Sequence, residues 1–400
     1  MISDRNILCI SNPMWESDYA KTIVELMSVA ARYNKILYVD NSYTLKEVLT
    51  GLIKRRALPY KRIFGLQPRV RRLPVEGNAF VFVLTTPMIW PVNFLSEGAL
   101  FNWLSRINGR IIARSVRKAL RELNMEKDLI HIVAFNPAVG VECGRKFNEK
   151  LLIYHCYDDI ESAEWLSKHG GRLEKRFMNM ADATVVTSEG LYRKKSAHTP
   201  ACYLVKNAAN INLFKTAFRP APATGNIIGY VGSIDKRLDY DLLEYLVKGL
   251  PDKQFVFVGR VTYEAGAQRL KQFPNVEFTG AKKVHELPAL IASFAVGIIP
   301  FLKNEFTAGI YPLKVNEYLA VGIPVVSTNF GFLQDFSNII SIIDTYDGFL
   351  AAVLAACTSD KPALRTQRLA FAEQNSWHKR VEELSDVINE LENTSKLNEI

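Results

Sequence analysis

The stretch Tyr311 to Thr328, YPLKVNEYLAVGIPVVST, constrains the fold more than any other part of the chain. Pro312 suits the first turn of a helix, where its missing N–H costs nothing, and Gly322 suits the left-handed position just past a helix end. The spacing predicts a helix over Pro312 to Val321. The β-branched run Ile323 to Ser327, with proline near its start, predicts a strand directly after it. A short helix that turns on one glycine into a buried-type strand is one repeat of an α/β layer.

Lys314 is the informative residue of that helix. A cation in the first turn faces the positive end of the macrodipole and is disfavoured there by a few tenths of a kcal/mol. A bound anion reverses the sign. Helix-start N–H groups together with Lys314 suit phosphate oxygens, and Glu317 one turn on suits ribose hydroxyls, so the stretch fits a sugar nucleotide. A surface i,i+3 ion pair, contributing about 0.2–0.5 kcal/mol, is the plainer reading of the same two residues.

The rest of the chain repeats the rhythm. Asn6 to Ser11, Lys35 to Asp40, Asn78 to Thr85, Leu129 to Phe135, Leu151 to Cys156, Ala183 to Ser188 and Cys202 to Lys206 read as strands. Helical spacing separates most of them, at Ser17 to Tyr33, Phe101 to Leu123, Arg172 to Met180 and Glu189 to Ala197. This alternation predicts a parallel sheet covered on both faces. Thr216 to Asn226 turns abruptly to proline, alanine and glycine, as a linker does, and the pattern then restarts. Strands are expected at Ile227 to Gly232, Gln254 to Gly259, Val276 to Gly280, Ala295 to Pro300, Ile323 to Ser327 and Ile339 to Ile343. Gly232, Gly259 and Gly280 close three of them, where phosphates approach a backbone closely. Glycine also ends strands for turn geometry alone.

Several classes are excluded or disfavoured. The loop after the first strand, SNPMWESD, has no glycine, which argues against a nicotinamide dinucleotide site. The five cysteines are scattered, with no C-x-x-C pair and no clustered histidines, so neither a disulfide framework nor a zinc site is expected. No run approaches the roughly 18 apolar residues that span a bilayer, and no signal peptide is read at the start, so the chain is expected in the cytoplasm. The net charge is +9. The basic residues crowd the first half without aromatic interleaving on a sheet face, which speaks against nucleic acid.

Lys54, Arg55, Arg56, Lys61, Arg62, Arg69, Arg71 and Arg72 form an acid-free basic stretch, interleaved with apolar residues and broken by Pro59, Gly65 and Pro68. It is expected to meet anionic lipid headgroups, at about 1 kcal/mol per basic residue. A solvated basic loop is the alternative.

The quoted stretch, preceded by Leu287-Pro288 and Gly297 to Phe301, resembles the donor half of GT-B glycosyltransferases, in particular the teichuronic acid and exopolysaccharide group with its family 4-like C-terminal domain. Gly229 to Leu243 and Ala181 to Ser188 resemble the same group. The resemblance implies two Rossmann-like doubly wound domains facing a cleft. Residues 1–215 would bind the acceptor and residues 222–375 the donor, and a C-terminal helix, Trp377 to Leu391 within 376–400, would cross back. It implies donor contacts from Gly232, Ser233, Arg237, Gly259, Arg260, Tyr311, Pro312, Leu313, Lys314 and Glu317. It also implies a reaction without metal or cofactor, basic residues and a helix start stabilising the leaving diphosphate. Many retaining relatives carry a second glutamate eight positions before the first, and here that position is Gly309. The stereochemical course therefore stays open. An inverting relative places an aspartate after a strand of its first domain, and Asp158 stands there, with Asp159 and His155 as competitors; helix N-capping is the plainer reading of the two acids and a hydrogen-bonded core position that of the histidine.

The resulting expectation is a hexosyltransferase, peripheral on the inner face of the cell membrane. It would move a sugar from a nucleoside diphosphate, UDP ahead of GDP, to a lipid-linked or polysaccharide acceptor. A UDP-sugar 2-epimerase on the same fold and a non-catalytic nucleotide-binding relative are the alternatives.

Overall fold

Apolar runs such as NILCIS, KILYV and LLIYHC have no polar face to give to water, so each strand must be covered on both sides. The computed structural model, which describes residues 1–16, 21–161, 168–199, 201–222 and 225–397, shows how this is done. The chain forms two units, Met1–Lys206 with Arg380–Ile400, and Asn207–Lys379.

The first unit runs β1 (Asn6–Ser11), α1 (Thr22–Ala30), β2 (Lys35–Val39), α2 (Leu45–Ile53), α3 (Tyr60–Ile63), β3 (Val70–Val75), β4 (Ala79–Leu84) and α4 (Ala99–Glu122). It continues with β5 (Leu129–Ala134), α5 (Pro137–Cys143), β6 (Leu151–Cys156), α6 (Gly170–Met178), β7 (Ala183–Val186), α7 (Glu189–Ser196) and β8 (Cys202–Leu204). The sheet order is β3-β4-β2-β1-β5-β6-β7-β8. All neighbours are parallel except β3, which pairs antiparallel with β4. The sheet expected to be parallel is thus mixed at one edge, and part of the basic stretch is a strand. The hairpin turns where Gly77 and Asn78 both take positive φ, the backbone such a turn requires. Ile112, Val116 and Leu120 of α4 pack on Leu8, Ile10, Leu37 and Val39. The start expected for α1 falls partly outside the described residues.

The second unit runs α8 (Ile211–Phe214), β9 (Ile227–Val231), α9 (Tyr240–Gly249), β10 (Gln254–Val258), α10 (Glu264–Lys271), β11 (Val276–Gly280), α11 (Leu287–Ala292) and β12 (Val296–Ile299). It continues with α12 (Glu305–Ala308), α13 (Leu313–Val321), β13 (Val325–Thr328), β14 (Ser341–Ile343), α14 (Tyr346–Ser359) and α15 (Pro362–Glu373). Its sheet order is β11-β10-β9-β12-β13-β14, and every pair is parallel. The described part of the proline-rich segment lies inside this unit, and the chain changes unit at Lys206/Asn207. The last helix, α16 (Trp377–Leu397), returns the chain to the first unit at Arg380. There Glu392 pairs with Arg5 at 2.6 Å and Lys150 at 3.1 Å.

In each sheet the winding reverses once, between β1 and β5 and between β9 and β12. Ligands of doubly wound sheets gather beyond the carboxyl ends of strands at such reversals.

Candidate functional site

Gly232 follows β9 at the reversal of the second sheet, with φ 145°. A side chain there is excluded twice, by the backbone and by Lys314: a Cβ would fall 2.7 Å from Lys314 Nζ and closer still to its Cε. Gly259, after β10, has φ 156°, and a Cβ on it would overlap the carbonyl oxygen of Gly232. Two bare glycine backbones therefore lie in contact beneath one lysine.

α13 brings Lys314 to this place. Pro312 is its N-cap and offers no side-chain acceptor to the first-turn amides, while Gly322 ends it at φ 89°. The far end is held hard. Arg365 donates to the Val321 carbonyl at 3.4 Å and Arg368 to the Gly322 carbonyl at 3.1 Å, and both guanidinium groups pair with Asp360, at 2.9 and 2.6 Å. Cations at a helix C-terminus complement its dipole. Tyr318 fastens the helix to the sheet, its hydroxyl accepting from the Val231 amide at 2.8 Å. The helix start is thus open while its body is fixed to the strand that ends at Gly232.

Lys314 is half-buried, with Nζ 5.7 Å from the Tyr230 ring centroid and 5.8 Å from that of Phe301. Burial lowers its pKa from 10.5 to about 8. Arg237 pushes the same way, and Glu317 and Asp235 oppose it. A desolvated cation, with Arg237 near enough to lower its pKa further, thus stands over bare glycine backbone.

The other expected donor residues divide. Ser233 and Arg260 are exposed beside Gly232 and Gly259, and Leu313 and Glu317 are half-buried on α13. Arg237 is already engaged: its Nε lies 2.9 and 3.0 Å from the two Asp235 carboxylate oxygens. Its guanidinium is held as one half of an ion pair. Tyr311 and Pro312 are buried, Tyr311 against Phe336 at 5.4 Å between ring centroids. Their side chains pack in the loop that leads into α13.

In the first unit, Asp158 is exposed just past β6, and its Oδ1 accepts from the Asp159 amide at 2.9 Å. No helix begins directly after it among the described residues; α6 starts at Gly170. Asp159 instead pairs with Lys194 at 3.0 Å and Lys195 at 3.7 Å. His155 is buried, and burial lowers its pKa to about 4, so its ring is neutral near pH 7.

The basic stretch also divides. Lys54, Arg55 and Arg56 are exposed beside Ile53, which is 83% exposed. Arg72 lies over the Phe80 ring, 3.7 Å from its centroid. Arg69 is corrected to a loop fastener, its guanidinium donating to the carbonyls of Arg62 and Ile63 at 3.1 and 3.2 Å. Arg71 is corrected likewise, being paired with Glu16 and, at 3.5 Å, with buried Asp40. Asp40 was legible only as an acid ending a strand. Burial pushes its carboxyl up to about 6 against the pull of the Trp15 amide and Arg71.

With this geometry in hand, comparison with known proteins decides the architecture. The chain superimposes on α,α-trehalose-phosphate synthase (UDP-forming) from Burkholderia vietnamiensis with a TM-score of 0.69 at 14% identity, over 98% of both chains. Sucrose-phosphate synthase from Thermosynechococcus elongatus gives 0.65 at 14% identity, over 97% of this chain and 99% of that one. The chain has the GT-B glycosyltransferase fold. The catalytic domain of Arabidopsis thaliana starch synthase IV, bound to ADP and acarbose, shares this fold at a TM-score of 0.64 and 12% identity, over 98% of this chain and 100% of that one. Residues 225–388 match the family Glycosyl transferases group 1. In sequence the chain is 30% identical over 169 residues to TuaH of Bacillus subtilis (strain 168), a glycosyltransferase by name assigned to teichuronic acid biosynthesis. That match spans 42% of TuaH and 39% of this GT-B chain.

Proposed function

We propose that the chain is a glycosyltransferase that moves a sugar from a nucleoside diphosphate sugar, UDP ahead of GDP, to a lipid-linked or polysaccharide acceptor. The observation that carries this reading is Lys314 poised over the Gly232 and Gly259 backbones at the open start of α13. The diphosphate lies against that start, Lys314 and the exposed Arg260 supply positive charge, and Glu317 accepts from ribose hydroxyls. These groups stabilise the leaving diphosphate as its charge develops, the role a divalent cation otherwise fills, so the reaction proceeds without metal. Asp158, exposed at the carboxyl edge of the first sheet, takes the proton of the acceptor hydroxyl.

The enzyme works at the inner face of the cell membrane. No helix among the described residues is long and apolar enough to cross a bilayer. Lys54, Arg55, Arg56 and exposed Ile53 give a basic and apolar corner suited to anionic headgroups.

The test is a thermal-shift panel of nucleosides, nucleotides and nucleotide sugars. A ligand at 100 times its dissociation constant adds about 2.7 kcal/mol to apparent stability. A shift with UDP and UDP-sugars, undiminished by EDTA, is expected. The donor assignment fails if no uridine or guanosine diphosphate shifts the transition.

A further inference from the structure

The first unit contains a groove of 1010 Å³ between the segment 63–70 and α4, walled by Ile63, Phe64, Leu66, Leu84, Met88 and Ile111. Leu66 is 76% and Phe64 48% exposed, an apolar surface that water covers at a cost. Arg114 and Lys118 line the same groove. They continue a stripe on α4 with Arg106 and Arg110, four residues apart and therefore on one helix face, all exposed. Arg106, Arg110 and Arg114 make no ion pair among the described residues; Lys118 lies 3.8 Å from Glu122, which also lines the groove. Arg69 is at the groove too, but its guanidinium is spent on the carbonyls that hold the 63–70 wall.

A second cavity, of 430 Å³, lies next to the first along α4 and the stretch 87–90. Pro87 and Met88 line the groove, and Ile89 and Trp90 line the cavity; Ile111 and Ser115 of α4 line the groove, and Ser105, Asn108 and Ile112 line the cavity. This cavity lies at the β1/β5 reversal, with Asn12 past β1, Asn41 past β2 and Asn136 past β5. Trp90 is 47% exposed, and buried Asn108 grips its backbone on both sides, at 2.8 Å to N and 2.8 Å to O. Amides beside a fixed aromatic face suit a sugar, which offers hydroxyls on its rim and C–H groups on its faces.

We infer that the groove binds one phosphorylated lipid chain, the carrier end of a lipid-linked acceptor, with the adjoining cavity placed for its sugar. The chain lies on the apolar wall, and the phosphate meets Arg114 and Lys118. The inference rests on the transferase reading for the word acceptor, and on the two cavities alone for the ligand chemistry.

The probe is monomeric farnesyl phosphate, titrated into the full-length protein by calorimetry. Wild type is expected to bind it. The double variant Arg114→Gln/Lys118→Gln and the groove-filling Ser115→Trp should each weaken binding tenfold or more, as should Leu66→Gln to a smaller extent. The thermal transition of each variant serves as the fold control, and Leu66 and Arg114 are exposed enough that folding is not at stake. Equal affinity in the double variant and in Ser115→Trp overturns the site. So does competition by inorganic phosphate at matched concentration, which would leave an anion site without a lipid. Displacement by phosphatidylglycerol vesicles, mole for mole, would reduce the groove to part of a docking surface. UDP is titrated in parallel. Loss of the UDP shift with farnesyl phosphate still bound sinks the donor reading and leaves the lipid site, and the reverse result sinks the lipid site alone.

Discussion

Lys314 occupies the space that a side chain on Gly232 would need, 2.7 Å from the position of its missing Cβ to the ammonium nitrogen. The two residues come from different elements, a helix start and a strand end, and their contact exists because Tyr318 ties α13 to β9 one residue before the glycine. Gly232→Ala must therefore both strain the backbone and displace the lysine. It should cost about 1–3 kcal/mol of stability and weaken UDP binding by tenfold or more. Gly280→Ala is the control. Its φ of 73° brings strain, but nothing lies within 4 Å of the new methyl, so it should lower the melting temperature and leave UDP affinity unchanged.

Adjacent aspartates should separate by what they lose. Asp158→Asn is expected to lower kcat by about 10² or more, as removal of a general base does, with melting temperature and UDP affinity held. Asp159→Asn breaks the pairs to Lys194 and Lys195 and should lose stability with turnover nearly intact. Full activity in Asp158→Asn would remove that residue from the mechanism and favour a route in which the donor phosphate takes the proton.

The basic stretch makes two different predictions within one run of sequence. Neutralising Lys54, Arg55 and Arg56 together should release the protein from anionic vesicles at physiological salt, because each exposed cation near such a surface contributes about 1 kcal/mol, and should leave the melting temperature alone. Arg71→Gln should do the opposite. It leaves buried Asp40 without its guanidinium partner and should destabilise the fold with little effect on vesicle sedimentation.

Asp40 supplies a pH dependence of stability. Its folded pKa, about 6, stands above the ordinary 3.8. The proton it holds in the native state therefore stabilises the fold fully below about pH 4, and this contribution is lost as pH rises through about 6. Asp40→Asn keeps the acceptor for the Trp15 amide and removes the charge. Its stability relative to wild type should rise by on the order of 1–2 kcal/mol between about pH 4 and pH 7. A difference that stays flat with pH would show that Arg71 keeps the carboxylate ionised throughout.

Much of this was legible in the sequence where one residue type has one physical use. Gly322 after the run that opens at Pro312 marked a helix end, and it is one. Lys314 stood out as a cation set against the dipole of a helix start, and the structure sets it over bare backbone. What was hidden depends on partners distant in sequence or on short-range pairs that only coordinates reveal. Arg71 reads like any other arginine of its stretch until β3 folds back as an edge strand and carries it to Asp40. The hairpin signal, Gly77-Asn78 between alternating residues, was present but masked by the density of charge. Arg237 and Asp235, two apart, look independent until the loop closes one on the other at 2.9 Å. Arg365 and Arg368, which hold the far end of α13, gave no signal, because a buried arginine is indistinguishable in sequence from an exposed one.

The central claim is that Lys314 reads the diphosphate of a nucleotide, and calorimetric titration of UDP and uridine into wild type and Lys314→Ala tests it most directly. A charge-assisted bond contributes about 1.5–3 kcal/mol, so the variant should lose roughly ten- to hundredfold in UDP affinity while uridine affinity stays within about twofold. Because the free lysine titrates at about 8 and a bound diphosphate raises that value, wild-type binding should take up a proton and weaken as pH rises from about 8 to 10. Lys314→Ala should show no such slope. Equal losses for UDP and uridine, with the same pH profile in both proteins, would contradict the account and leave Lys314 a structural residue.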